Sequence, residues 1–215
     1  MPVVFDLKID AHTELAVWKI EESHDQLMAG LQLKQHELEI IDSFKSDKRA
    51  LQWLSTRLLL RTMLDTKEYI DCQMDDQGKP YLVNYDYHIS LSHSYDYAAV
   101  MISRDPQKKV GLDMEIIKHK IKLIRHKFLS DVELAQKQIG DNIHGLYVCW
   151  CAKEAIYKWH GRKELEFKRD IHIKPFKLRD EGELIAVVDL PKGVKELNVN
   201  YFKTDDGYML GYVIG

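Results

Sequence analysis

The chain has 215 residues, of which 45% are hydrophobic and 30% charged, with a formal net charge of −3. That balance excludes disordered and fibrous classes, carries no global nucleic-acid signature, and allows a core that needs no staples. Three cysteines, Cys72, Cys149 and Cys151, form no CxxC pair. Neither a disulfide framework nor a zinc site is expected, and a reducing, cytoplasmic setting fits. The N-terminus has no basic leader ahead of an apolar core, and no run of about 18 apolar residues occurs, so no export signal and no membrane span are expected.

In chain order, VVFDLKI and TELAVWKI alternate apolar and polar residues, which predicts two short strands joined around Asp10 to His12. HDQLMAGLQL and KQHELEIIDSF have the pattern of short helices, and SDKRALQWLSTRLLLRTML that of a longer one with Ser46 as its N-cap. Arg49, Arg57 and Arg61 recur along that helix at multiples of four residues, with Trp53 between them, and are expected to fan over one side. DDQGKPYLV reads as a turn into a strand, and YHISLSHSYDYAAVMIS as strand, polar loop, strand. RDPQKK turns the chain into another strand, VGLDMEII. KHKIKLIRHK, Lys118 to Lys127, leaves helix and strand open.

LSDVELAQKQIG opens with a capping box, Ser130 with Glu133, which predicts a helix from near Asp131 to about Gly140. VCWCAKEAIYKWHG predicts a second helix, with Val148, Cys151, Ala152, Ala155, Ile156 and Trp159 on its core side. Trp150, Lys153, Glu154, Tyr157 and Lys158 are expected on the other. Beyond Gly161, DIHIKPFKLR with GELIAVVDL, and ELNVNYFKT with GYMLGYVIG, predict two hairpins turning at Asp180-Glu181-Gly182 and Asp206-Gly207. The class is α+β, and a boundary at the turn Arg104 to Lys109 divides residues 1–105 from 106–215.

The chemistry concentrates in two places. Asp113 and Glu115 are two apart on a predicted strand, so both carboxylates leave one face with Cα atoms roughly 6 to 7 Å apart. Alone, such a pair also fits the exposed side of an edge strand. Glu154 offers a third carboxylate, and Mg²⁺ is held by carboxylates, water and phosphate oxygens. Glu154 and Lys158 lie one helical turn apart; without further context they are a surface ion pair worth a few tenths of a kcal/mol. Ser92 and His93 in SLSHS bring a hydroxyl and an imidazole that either meet a phosphate or cap a loop. No GxSxG elbow and no HExxH are present, which removes serine-hydrolase and zinc-protease readings.

VGLDMEII followed by WCAKEAIYK resembles the signature pair of the 4'-phosphopantetheinyl transferases, a (V/I)G(V/I)DxE strand and a (F/W)(S/C)xKEAxxK helix. GKPYL and SLSHS are similar to the GKP and SHS elements of the longer, Sfp-type branch. The four elements run from the Lys79 region to Lys158, and the N-terminal third matches only loosely. The interval between Asp113 and Trp150 is a little shorter than usual in that family, and Cys151 stands where serine is commoner.

The resemblance implies a monomer of two similar α+β halves related by a pseudo-twofold, with coenzyme A in the cleft between them. It implies Mg²⁺-dependent transfer of the phosphopantetheine arm to a serine of an acyl or peptidyl carrier protein, releasing adenosine 3',5'-bisphosphate. Asp113, Glu115 and Glu154 would hold Mg²⁺. Glu154 would take the serine proton, directly or through water, and Lys158 would stabilise the leaving bisphosphate. Lys79, Ser92, His93, Lys153, Lys158 and one of Arg49 or Arg57 would bind the nucleotide phosphates. The basic segment Lys118 to Lys127 would receive the carrier's acidic helix, with neither nucleic acid nor membrane as partner. Two alternatives stay open: a Mg²⁺-dependent phosphohydrolase, and a non-catalytic carrier-protein or nucleotide-binding module.

Overall fold

The computed structural model describes residues 3–215; Met1 and Pro2, which open the stretch expected to carry no export signal, lie outside the described residues. Contacts divide the chain into two compact units, Met1–Gln107 and Lys108–Gly215.

In the first unit β1 (Val3–Lys8) and β2 (Thr13–Lys19) pair as an antiparallel hairpin. Asp10 tightens it, its carboxylate accepting the backbone N–H groups of His12 and Thr13 at 2.8 Å. Two short helices follow, α1 (His24–Ala29) and α2 (Gln35–Asp42), and then the long α3 (Asp47–Leu64). The Ser46 hydroxyl accepts the N–H of Arg49, satisfying one of the donors a helix start leaves open. Ser46→Ala is therefore expected to cost about 1 kcal/mol, read as a lower urea midpoint with an unchanged denaturant slope.

β3 (Cys72–Met74) and β4 (Pro80–Leu82) form a small hairpin, and β5 (His88–Ser94) with β6 (Tyr97–Ser103) completes a sheet of order β1-β2-β6-β5. α3 lays Leu59 and Leu60 against Trp18, Ile89, Val100 and Ile102 of that sheet. A satellite cluster of Leu27, Ile41, Ala50 and Leu54 joins α1 and α2 to the start of α3.

Differences from the expected pattern begin here. SLSHS is strand throughout, and only Tyr95 and Asp96 turn the chain, Tyr95 in the left-handed region at φ 50°. The three arginines of α3 do not share one environment either, since Arg49 is exposed while Arg57 is buried.

The second unit comprises β7 (Val110–Ile116), α4 (Ile121–Phe128), α5 (Asp131–Leu134), α6 (Lys137–Gly140), α7 (Ile143–His160), α8 (Phe167–Asp170), β8 (Ile171–Ile173), β9 (Glu181–Leu190), β10 (Gly193–Lys203) and β11 (Tyr208–Ile214). Its antiparallel sheet has the order β7-β11-β10-β9-β8. The basic segment is helical, with Ile121 and Phe128 sealed into the core. The helix expected near Asp131 to Gly140 is broken, because Gln136 takes an extended ψ of 118° between α5 and α6.

The first of the two expected C-terminal hairpins is also looser. Glu181 and Gly182 already belong to β9, paired with Phe202 and Tyr201, so they are not a turn. α7 is buried almost all round; Lys153, expected outside, is fully buried, and Tyr147 and Cys149 are buried too. All three cysteines are free and buried. Among the described residues no helix is long and apolar enough to cross a membrane.

Candidate active site

Two glycines make the site. A Cβ on Gly111 would lie 1.9 Å from the Ala155 carbonyl oxygen and 2.6 Å from the Trp159 nitrogen. A Cβ on Gly211 would lie 3.0 Å from the Cys151 carbonyl carbon. The backbone of α7 can therefore rest directly on β7 and β11, the closest approach a side-chain-free surface allows. Strand alternation puts Gly111, Asp113 and Glu115 on one face of β7, and Gly211 stands opposite Asp113 in the β7–β11 register.

With the helix this close, residues of α7 meet that row. Lys158 Nζ donates to Asp113 Oδ1 at 2.8 Å, and the Asp113 carboxylate is almost wholly buried. Glu154 is half-buried nearby, its carboxyl pushed up to about 7. The causes are burial first and repulsion by Asp113 second, with Lys158 opposing and Glu115 adding to the rise. Three carboxylates thus feel one another across the seam, and one ammonium partly neutralises them. Beneath them Cys151 is buried, its thiol raised well above the ordinary value by burial and then by Asp113 and Glu115. It is a packing residue and no nucleophile.

Lys153 is not part of this group. Its ammonium has no solvent exposure and donates to the carbonyls of Phe128, Phe167 and Ile171 at 2.7 to 2.8 Å and to Glu133 at 2.9 Å. The expectation that it binds a nucleotide phosphate is corrected: every donor is engaged inside the protein. Glu133, legible in the sequence only as a capping-box residue, is the counter-charge that residue patterns did not reveal.

The remaining sequence candidates lie in the first unit. Ser92 is buried and His93 exposed, on opposite faces of β5 rather than together in a loop. Lys79 is half-buried at the close of the β3–β4 turn, where its N–H donates to Asp75 at 2.8 Å. Arg57 has a different setting from Arg49. Its guanidinium lies 4.1 Å over the Trp53 ring, donates to Thr56 Oγ1 at 3.1 Å, and lines a cavity with Glu37 and Tyr69. Burial pulls it below the ordinary arginine value. Of the two arginines only Arg49, exposed in the first turn of α3, stays accessible to a ligand.

Among the described residues no three His, Cys, Asp or Glu side chains form a ready metal-holding group. The donor chemistry of Asp113, Glu115 and Glu154 nevertheless fits a hard dication, since all three are oxygen ligands and their mutual repulsion, visible in Glu154, is what such an ion relieves.

A strand–helix seam of three carboxylates and a lysine suits chemistry on phosphate esters, where charge must be held in place. A family model described as the 4'-phosphopantetheinyl transferase superfamily matches residues 109–213, which include all of β7 and α7. Residues 109–213 are similar to that superfamily. The chain is also similar to a Haemophilus influenzae protein named "Putative 4'-phosphopantetheinyl transferase", 30% identical over 91 residues. The match spans 40% of this chain and 38% of that relative's length.

Proposed function

We propose that this protein transfers the 4'-phosphopantetheine arm of coenzyme A to a serine hydroxyl of an acyl or peptidyl carrier protein, as a cytoplasmic, Sfp-type monomer. The observation that supports it most is the seam itself: the superfamily's segment brings Asp113, Glu154 and Lys158 into one electrostatic group. In this reading the chain consists of two related halves, residues 1–105 and 106–215.

Asp113, Glu115 and Glu154 are the residues that would hold Mg²⁺, which when bound supplies positive charge against the pyrophosphate. Glu154 takes the proton of the attacking serine, directly or through water. The serine oxygen forms a bond to the β-phosphorus, the bond from that phosphorus to the bridging oxygen breaks, and adenosine 3',5'-bisphosphate departs. Lys158 stabilises the charge on the departing phosphate. Lys79, Ser92, His93 and Arg49 serve the nucleotide end, each through phosphate contacts.

The carrier's acidic helix docks on α4. Lys122, Leu123, His126 and Lys127 are exposed there, Leu123 at 83%, whereas Arg125 is occupied with the Gly140 carbonyl at 2.6 Å. Lys122→Glu with Lys127→Glu is therefore the informative pair. It is expected to raise the KM for the carrier and flatten its dependence on ionic strength while leaving coenzyme A affinity unchanged. An unaltered carrier KM and salt profile would return α4 to a solvated basic face.

The primary test is incubation with coenzyme A, Mg²⁺ and an apo carrier protein, read by intact mass. Gain of one phosphopantetheine arm, abolished by Ser→Ala in the carrier, is the expected result. Hydrolysis of coenzyme A without carrier modification would make the protein a phosphohydrolase, and inertness toward both would make it a binding module.

A further inference from the structure

We propose that Lys153, together with Glu133, is a positioning residue: a buried latch that holds α7 at the rotation from which Glu154 and Lys158 face Asp113, and that ties the end of the basic helix α4 to the same turn. The Lys153 ammonium is at 0% exposure and is shared among four acceptors from four separate segments. Phe128 is the last residue of α4, Glu133 lies in α5, Phe167 is the first residue of α8 and Ile171 the first of β8. An ammonium has three donors, so they are fully committed.

Glu133 is equally committed. Its carboxylate accepts the Ser130 N–H at 2.8 Å, the Ser130 hydroxyl at 3.0 Å and the Ile173 N–H at 2.9 Å besides Lys153. A lysine is costly to bury and an apolar residue packs a core at least as well, so a buried ion pair of this kind is poor evidence of a purely stabilising role. What it supplies is direction, because hydrogen bonds to carbonyls of fixed orientation define one helix rotation where apolar contacts tolerate several.

A second contact acts at the same place. Trp150, one turn before Lys153, is wedged edge-on between the rings of Phe128 at 5.0 Å and Phe167 at 5.8 Å. Two of the three residues whose carbonyls hold Lys153 therefore hold Trp150 by their side chains. Glu154 is the next residue in the chain, and Lys158 follows one turn beyond it. Any slip of α7 at the latch moves both relative to Asp113, and any shift of α4 under a docked partner reaches α7 through the Phe128 carbonyl.

The effect on turnover rests on the proposed transferase reading, so the test has one arm that depends on it and one that does not. Lys153→Met combined with Glu133→Gln removes the latch without leaving a buried charge alone. Glu133→Gln by itself is the milder variant, since Lys153 keeps its three carbonyl acceptors and the amide oxygen still accepts from Ser130 or from Ile173, though not from both. In the double variant kcat for carrier modification, measured per folded molecule, is expected to fall about 10²-fold with KM for coenzyme A unchanged. The single variant should show a smaller loss of the same kind.

Independently of activity, amide hydrogen exchange should quicken at Glu154 to Lys158 and at the C-terminal end of α4, with the amides of β10 and β11 protected as before. Turnover that returns fully once stability is restored overturns the proposal, as does a loss confined to KM, which would put Lys153 back on the ligand. Unchanged exchange in α7 overturns it whatever the activity. Wild-type protein that modifies no carrier, with the exchange pattern as expected, would sink the transferase reading and leave the latch standing.

Discussion

Glu154→Gln is expected to lower carrier modification by about two to four orders of magnitude, the usual contribution of a positioned proton acceptor. It should also stabilise the metal-free protein at neutral and alkaline pH. The sign follows from the raised carboxyl. Because the folded value lies near 7 against an ordinary glutamate value of 4.5, the folded state holds a proton that the unfolded state releases, and stability declines as pH rises through that window. Below about pH 4.5 both states are protonated and the substitution is near neutral; above about pH 7 the charged carboxylate beside Asp113 and Glu115 is at its most costly. The difference in thermal midpoint between Glu154→Gln and wild type should therefore grow from pH 4.5 to pH 7 and then level off.

Saturating Mg²⁺ should raise the wild-type midpoint, since an ion that binds only the folded state stabilises it. The Gln variant should respond less. A flat pH profile in the metal-free wild type, or an equal response of both proteins to Mg²⁺, would separate Glu154 from the carboxylate group proposed here.

Gly111→Ala should be the most damaging single-methyl substitution at the site. The added Cβ would meet backbone atoms of α7, the Ala155 oxygen at 1.9 Å and the Trp159 nitrogen at 2.6 Å, and backbone cannot rotate away as a side-chain tip can. Overpacking a core ordinarily costs about 1 to 3 kcal/mol, and a clash with a helix backbone belongs above that range. The variant should show a denaturation midpoint far below wild type, and any folded fraction should lack transfer activity because α7 must lift away from β7. Wild-type stability in Gly111→Ala would mean that α7 does not lie where the Lys158–Asp113 contact requires.

Much of this molecule follows from local pattern. Alternation in VGLDMEII is enough to put Asp113 and Glu115 on one face, and a four-residue step puts Glu154 beside Lys158. Ser46 and Ser130 announce their helices because a cap is satisfied by residues two or three positions away, as both are. The α+β class needs no more than these periods.

Tertiary structure decided the rest, wherever a residue's partner is distant in sequence. KEAxxK contains two lysines with the same local surroundings; only packing sends Lys158 to Asp113, 45 residues away, and Lys153 to acceptors 14 to 25 residues away. Arg49 and Arg57 sit on one helix, yet α2 and the Tyr69 segment cover one and leave the other in solvent. KHKIKLIRHK could have paired as a strand; it is helical with Ile121 and Phe128 both reaching the core. Local sequence sets which face a side chain leaves from, whereas burial and the sharing of donors depend on which other segment arrives at that face, and no window of a few residues carries that information.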